Sequence, residues 1–176
     1  MRQLLLLRHA KAASDDGTLS DRDRPLTPSG RQAAILMREA MRVRGLEPDL
    51  VLVSSARRTL QTLQALEPWD DTPLIEPLDP LYLAPAPQLL AILHTVPETV
   101  RAVLLIAHNP GLHDLALALA APPANHAARE AARTLARGFP TAALAVFSIA
   151  TPWASLAPRN AHLLHTVTPQ GLQAKE

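Results

Sequence analysis

The stretch Leu4-Leu5-Leu6-Leu7-Arg8-His9 consists of four consecutive leucines followed directly by a cation and a histidine. A second unbroken apolar run occupies residues 103–106, and residues 49–53 are nearly as apolar. Short apolar runs of this kind are typical of strands that are covered on both faces. Three such runs therefore predict the buried centre of a sheet.

Helical segments alternate with these strands. Thr27 is a predicted N-cap with Pro28 at the first helical position, and Gly45 is predicted to end the helix that follows. Further helices are predicted from Ser55 to Leu66, from about Pro87 to Thr95, after Gly111 and over 125–137, and further strands over 142–149 and 161–167. The alternation predicts an α/β fold, a three-layer α/β/α sandwich with a mostly parallel central sheet. We expect one domain over residues 1–170, then a C-terminal tail over 171–176.

Composition excludes several classes of protein. The 176 residues carry a net charge of +1 and no cysteine. Without cysteine there are no disulfides, thiol nucleophiles, iron–sulfur clusters or cysteine zinc sites. Scattered cations and few aromatic residues argue against a nucleic-acid partner. No apolar run is long enough to span a membrane and no signal peptide is evident, so we expect a cytoplasmic protein without a membrane partner.

Polar residues follow each of the three central strands. Arg8-His9 follows the first, Ser54-Ser55 with Arg57-Arg58 the second, and His108-Asn109 the third. Ligands bind at the carboxyl ends of strands in open α/β sheets. We therefore expect two histidines and two or three arginines to meet at one edge of the sheet.

This set of side chains suits a tetrahedral oxyanion. Arginine forks bind phosphate oxygens, and a histidine can act as the nucleophile in phosphoryl transfer. A metal site is disfavoured because His108 and His113 are five residues apart and lack carboxylate partners. The glycines are isolated, so the chain has neither a phosphate loop nor a dinucleotide-binding fingerprint.

Four blocks of sequence resemble the histidine phosphatase superfamily, with its phosphoglycerate mutase-like fold, and within it the branch of small phosphohistidine phosphatases typified by SixA. The blocks are Leu5 to Ala12, Asp23 to Gly30, Ser54 to Thr62 and Leu105 to Leu112. They occur in the order and spacing of the family and extend over most of the chain.

The resemblance implies that His9 is the nucleophile and that Arg8, Arg58 and His108 complete the phosphate pocket. Arg58 is preferred to Arg57 because it precedes the sequence Thr-Leu-Gln-Thr. Arg24 and the backbone N–H of Asn109 are further candidate phosphate contacts. Neither a metal nor another cofactor is implied. We also expect a backbone carbonyl to orient the far ring nitrogen of His9 and so to fix its tautomer.

Many ester-cleaving members of the superfamily carry an acidic proton donor, and this chain has Leu83 where we would look for it, directly after Tyr82. Glu76 and Asp79 are the nearby alternatives. Imidazole is a far better leaving group than an alkoxide, so phosphohistidine needs less help from an acid. We therefore favour a phosphatase that acts on a histidine-phosphorylated protein, a phosphotransfer domain or phosphocarrier of signal transduction.

Two other functions stay open. One is a phosphatase for small phosphomonoesters that uses Glu76 or Asp79 as its acid, and the other is a phosphate-binding module without turnover. The sequence does not specify the oligomeric state, and a monomer is favoured. We expect the alanine-rich segment over 120–140 to be scaffold rather than a lid over the pocket.

Overall fold

One six-stranded sheet forms the centre of the computed structural model, which describes residues 1–174. The strands are β1 (Arg2–Arg8), β2 (Leu50–Ser54), β3 (Leu74–Leu78), β4 (Ala102–Ala107), β5 (Leu144–Ile149) and β6 (Ala161–Val167). Their order across the sheet is β3-β2-β4-β1-β5-β6. Strand β5 runs antiparallel to both of its neighbours, whereas β3, β2, β4 and β1 are mutually parallel. The mostly parallel sheet predicted from the sequence is confirmed.

Helices connect the strands and cover both faces of the sheet. They are α1 (Pro28–Val43), α2 (Arg57–Leu66), α3 (Ala86–Leu93), α4 (Gly111–Leu119), α5 (His126–Arg137) and α6 (Pro169–Gln173). The side chain of Thr27 caps α1 as predicted, accepting a hydrogen bond from the Gly30 N–H. Gly45 lies two residues beyond the end of α1 with φ +61°, a conformation that favours glycine. Within residues 1–174, none of the helices has the length and apolarity needed to cross a membrane.

Alternate residues of β1 face the two layers of helices. Leu4 and Leu6 pack in the core formed with α3, α4 and α5, whereas Leu5 and Leu7 pack in the core formed with α1 and α2. All four leucines are fully buried, and each such burial contributes roughly 2 kcal/mol to the free energy of folding. The run of leucines is therefore apolar throughout because both of its faces are covered.

Two elements were not predicted from the sequence. Strand β3 is an exposed edge strand that contains Pro77, so it lacks the apolar pattern of the central strands. Helix α6 extends across the predicted boundary between residues 170 and 171, and its N-cap is Thr168. The division into a domain and a tail stays a prediction, and residues 175–176 of that tail lie outside the described part.

The segment over 120–140 packs against the sheet. Ala131 and Leu135 of α5 are buried, and the Thr166 hydroxyl of β6 donates to the Ala131 carbonyl at 2.9 Å. Helix α5 is thus part of the scaffold, and its C-terminal end lies beside the carboxyl edge of the sheet.

Candidate active site

The strand order brings three strand ends together. Strand β4 lies between β1 and β2, with Arg8 paired with Ala107 and Val53 paired with Ile106. Because these three strands are parallel, the residues that follow them lie at the same edge of the sheet. The fold thereby converts three separate sequence motifs into one site.

A cavity of about 390 Å³ opens at this edge. The six residues predicted to form the phosphate pocket all line it: Arg8, His9, Arg24, Arg58, His108 and Asn109. The remaining lining residues are Lys11, Ala12, Asp21, Leu83 and Thr141. No group of three His, Asp or Glu side chains in residues 1–174 has the arrangement of a metal site.

His9 is held in one orientation by its own backbone. Its Nδ1 lies 2.8 Å from the carbonyl oxygen of Ala10, which can only accept a hydrogen bond. Nδ1 therefore carries the proton and Nε2 keeps its lone pair. The predicted tautomer-fixing carbonyl is that of Ala10, and it leaves the lone pair of His9 on Nε2.

His9 is neutral at pH 7. Its side chain is 8% exposed, and burial lowers its pKa from 6.5 to about 4. The bond to the Ala10 carbonyl raises this pKa, but the positive charges of Arg58 and Arg8 lower it again. A neutral imidazole is the form that can attack phosphorus.

His108 lies beside His9, with their ring centroids 5.2 Å apart. Its Nε2 is 2.7 Å from the Ser54 hydroxyl, and Arg58 donates to its Nδ1 at 3.4 Å. Since Nδ1 accepts from a guanidinium, Nε2 carries the proton and donates to Ser54. Burial lowers the pKa of His108 to about 3, with further contributions from His9 and Arg58. The sequence placed Ser54 at the end of β2 but predicted no role for it. In the structure, its hydroxyl orients the His108 ring.

Each of the three arginines is anchored by a backbone carbonyl. Arg8 donates to Phe139 at 3.0 Å, Arg24 to Ala13 at 2.7 Å and Arg58 to Asp21 at 2.6 Å. Arg58 is only 3% exposed. Arg57, one position earlier, is exposed and its guanidinium lies 3.5 Å from the Asp23 carbonyl. Anchored guanidinium groups hold their charges in place before an anion arrives.

Asp21 is a site residue that sequence reasoning missed. Its carboxylate accepts hydrogen bonds from Arg24 at 2.7 and 3.1 Å, from Arg58 at 3.1 Å and from the Tyr82 hydroxyl. The bond from Tyr82, together with those from Arg24 and Arg58, holds the pKa of Asp21 well below its usual range. Asp21 is therefore ionised, and it positions the arginines instead of carrying a proton to donate.

Neither acidic residue considered as a proton donor lines the cavity. The exposed Asp79 carboxylate accepts from the Ser55 hydroxyl and, at 3.1 Å, from Arg22. Glu76 lies in the exposed edge strand β3. Leu83 does line the cavity, with φ +51° and half of its side chain exposed. The position that an acidic proton donor would occupy therefore holds an apolar side chain.

Comparisons of the sequence and the fold with those of known proteins identify the family of this chain. A sequence model of the histidine phosphatase superfamily (branch 1) matches residues 4–77. A structure described as a candidate phosphohistidine phosphatase SixA from Nakamurella multipartitia is 32% identical, with a TM-score of 0.81 over 96% of each chain. The chain belongs to the histidine phosphatase superfamily. The similarity to SixA assigns it to the SixA-type branch, as the four sequence blocks predicted.

Two further relatives of this SixA-type phosphatase extend the comparison. The protein histidine phosphatase SixA, in a complex with tungstate, is 27% identical with a TM-score of 0.76, over 97% of this chain and 99% of that one. An uncharacterised protein of Mycobacterium tuberculosis is 34% identical over 158 residues, which are 90% of this chain and 96% of that protein. The predicted fold class and enzyme class are confirmed: the protein is a phosphatase of phosphoglycerate mutase-like fold with a histidine nucleophile.

The lowered histidine pKa values make this phosphatase sensitive to mild acid. In the unfolded chain the His9 side chain binds a proton near pH 6.5, whereas in the folded protein it binds one only near pH 4. The folded state therefore loses stability as the pH falls from 6.5 through 4, by up to about 3 kcal/mol for His9 alone. We expect urea unfolding at pH 7.0, 5.5 and 4.5 to show this loss.

The variant His9→Asn removes this proton uptake on unfolding, so its stability should depend less steeply on pH over the same range. Most carboxylates titrate below this range and contribute little there. An identical pH dependence in the variant and the wild type would contradict the prediction.

Proposed function

We propose that this enzyme removes the phosphoryl group from a phosphohistidine residue of another protein through a covalent intermediate on His9. The observation that carries the proposal is the combination of a neutral, oriented histidine with a cationic pocket that, within residues 1–174, has no protonated carboxyl group. Asp21, the carboxylate of that pocket, is held ionised by its hydrogen bonds.

In the first step, Nε2 of His9 attacks phosphorus in line with the P–N bond of the substrate. A new P–N bond forms on His9 and the substrate P–N bond breaks. Its electron pair stays on the substrate ring, whose far nitrogen carries a proton, so the ring leaves as neutral imidazole. Arg8 and Arg58 contact the equatorial oxygens, with Arg24 and the Asn109 N–H as further contacts, and His108 positions Arg58 by accepting its hydrogen bond at Nδ1. These groups stabilise charge in the transition state by fixed electrostatics.

In the second step, water attacks the phosphoryl group on His9. The P–N bond to His9 breaks, inorganic phosphate leaves, and the electron pair returns to Nε2. The Ala10 carbonyl keeps the proton of His9 on Nδ1 during both steps, so the ring is ready for the next cycle.

The leaving group decides between substrate classes. Imidazole departs as a base whose conjugate acid has a pKa of about 6.5, whereas an alkoxide resembles hydroxide, with a value near 15.7. A general acid contributes about 10²- to 10⁴-fold to the rate of such reactions. A pocket without a protonated acid therefore favours a phosphoramidate over an alkyl phosphate ester.

The comparisons support the same substrate class. Both solved structures described above carry the name SixA, one of them as a protein histidine phosphatase with tungstate bound. Tungstate is a tetrahedral oxyanion like phosphate. We propose a phosphotransfer domain or phosphocarrier as the substrate protein, and a cytoplasmic role in signal transduction.

The test compares the two substrate classes directly. We expect kcat/KM for a histidine-phosphorylated carrier protein to exceed that for glycerol phosphate by at least about tenfold. Release of inorganic phosphate measures both reactions. Hydrolysis of glycerol phosphate with no loss of label from the carrier would overturn the proposal and favour a phosphatase of small phosphomonoesters.

A further inference from the structure

A second cavity, of about 650 Å³, opens beside the phosphate pocket. The two cavities share Arg8 and Asn109 as lining residues. We call the second cavity the α5 groove, defined by Asn109, His113, Thr134, Arg137, Phe139 and Pro140. It runs from the phosphate pocket toward the C-terminal end of α5.

The wall between the two cavities is built into the fold. The Phe139 carbonyl accepts hydrogen bonds from Arg8 at 3.0 Å and from the Asn109 amide at 2.8 Å. The His113 ring stacks on the Phe139 ring, with 6.0 Å between the ring centroids. Its Nε2 is hydrogen-bonded to the Leu135 carbonyl oxygen at 2.8 Å. The wall of the α5 groove is thus anchored to Arg8 and Asn109, two residues of the phosphate pocket.

The charges around the phosphate pocket are distributed unevenly. Among residues 1–174, the charged side chains that line the α5 groove are Arg8 and Arg137, without a carboxylate. Arg137 is exposed and forms no salt bridge within residues 1–174. The loop over 14–23 contributes Asp21 to the phosphate pocket and no residue to the α5 groove. It carries the exposed Asp15, Asp16 and Asp23, whose negative charge the exposed Arg57 beside Asp23 offsets only in part. An acidic segment is therefore attracted toward α5 and repelled from the loop.

We infer that the α5 groove binds an acidic segment of polypeptide that flanks the phosphohistidine in the substrate protein. This inference rests on the proposed function, because it requires a substrate that continues beyond the phosphoryl group. The substrate polypeptide on either side of the phosphohistidine must extend away from the phosphate pocket over the surface of the enzyme. The α5 groove is continuous with that pocket, and its cations complement an acidic chain.

Helix α5 provides a matched pair of variants. Arg137 lines the groove, whereas Arg129 is an exposed cation two turns earlier on the same helix and lies outside it. Arg133, between them, already pairs with Glu130 at 2.6 Å. Substitutions Arg137→Glu and Arg129→Glu therefore change the net charge equally and differ in their place relative to the groove.

The probes are two synthetic peptides, each with one phosphohistidine, flanked by glutamates in one peptide and by lysines in the other. For the full-length wild type, we expect kcat/KM to be about tenfold higher for the glutamate peptide, with the difference in KM. Arg137→Glu should reduce this ratio to about one, and Arg137→Gln to an intermediate value. Arg129→Glu should keep the wild-type ratio. A ratio does not depend on the fraction of folded enzyme.

The ratio should also fall as salt is added, because exposed charges are screened. Equal cleavage of the two peptides by the wild type, or equal ratios for Arg137→Glu and Arg129→Glu, would overturn the inference and leave the proposed function intact. Failure to cleave either peptide, with glycerol phosphate hydrolysed, would overturn the proposed function and this inference with it.

Discussion

Replacement of His9 with alanine is expected to lower kcat for a histidine-phosphorylated carrier by at least about 10⁴-fold, because the covalent step has no other nucleophile. The lone pair of His9 Nε2 is directed to the pocket by the Ala10 carbonyl at 2.8 Å, and alanine provides no replacement for it. His108 does not substitute, since its Nδ1 and Nε2 both already face partners, Arg58 and Ser54. The measurement is single-turnover quenching with substrate labelled in the phosphoryl group.

The same experiment detects the intermediate. In the wild type, label should pass transiently to the enzyme in a form that is stable to alkali and labile to acid, and His9→Ala should show none. His126→Ala is the control, since His126 lies on the exposed surface at the start of α5. Equal labelling of His9→Ala would contradict the assignment of the nucleophile. Tight binding by the wild type with no labelling would favour a phosphate-binding module.

The positions of the two histidines were predictable because they depend on strand topology. An unbroken apolar run identifies a strand buried on both faces, and the residue after it must lie at the carboxyl edge of a parallel sheet. His9 and His108 both follow such runs. Their convergence requires only that β1 and β4 be neighbours, as they are.

The distinction between Arg57 and Arg58 was predicted from the resemblance and has a simple physical basis. Consecutive residues of a helix point about 100° apart. Helix α2 begins at Arg57, so one arginine faces the solvent and the next is buried at 3% exposure against Asp21 and His108.

Asp21 could not be singled out from the sequence for the opposite reason. It lies in a loop with three other aspartates, Asp15, Asp16 and Asp23, and loops lack a periodicity that would tell which side chain points inward. Its partners Arg58 and Tyr82 are 37 and 61 residues away. Contacts between residues so far apart in the chain depend on the folded path of the backbone, and the local sequence pattern does not predict them.

The α5 groove was unpredictable for the same reason. The contact that builds its wall joins Arg8 to Phe139, 131 residues apart. From the sequence alone, Arg137 is one of several cations on an amphipathic helix. Only the folded structure places it beside Phe139, where it lines the α5 groove.

Substitution Leu83→Glu is expected to raise kcat/KM for glycerol phosphate by about a hundredfold, because a carboxylic acid at this position can protonate an alkoxide as it leaves. Leu83 lines the phosphate pocket and is half exposed, so the longer polar side chain has room. The ester activity should fall as the pH rises and the introduced carboxyl loses its proton. Initial rates of phosphate release over a range of pH measure both effects.

The matched control is Leu83→Gln, which has nearly the same shape and no proton to donate. We expect it to leave ester hydrolysis at the wild-type rate, and both variants to cleave phosphohistidine within a few-fold of the wild type, since imidazole leaves without an acid. Equal ester hydrolysis by the two variants would contradict the prediction. It would also mean that the apolar residue at 83 is not what separates phosphohistidine from esters, and that selectivity arises instead from the charges around the pocket that contact the substrate beyond its phosphoryl group.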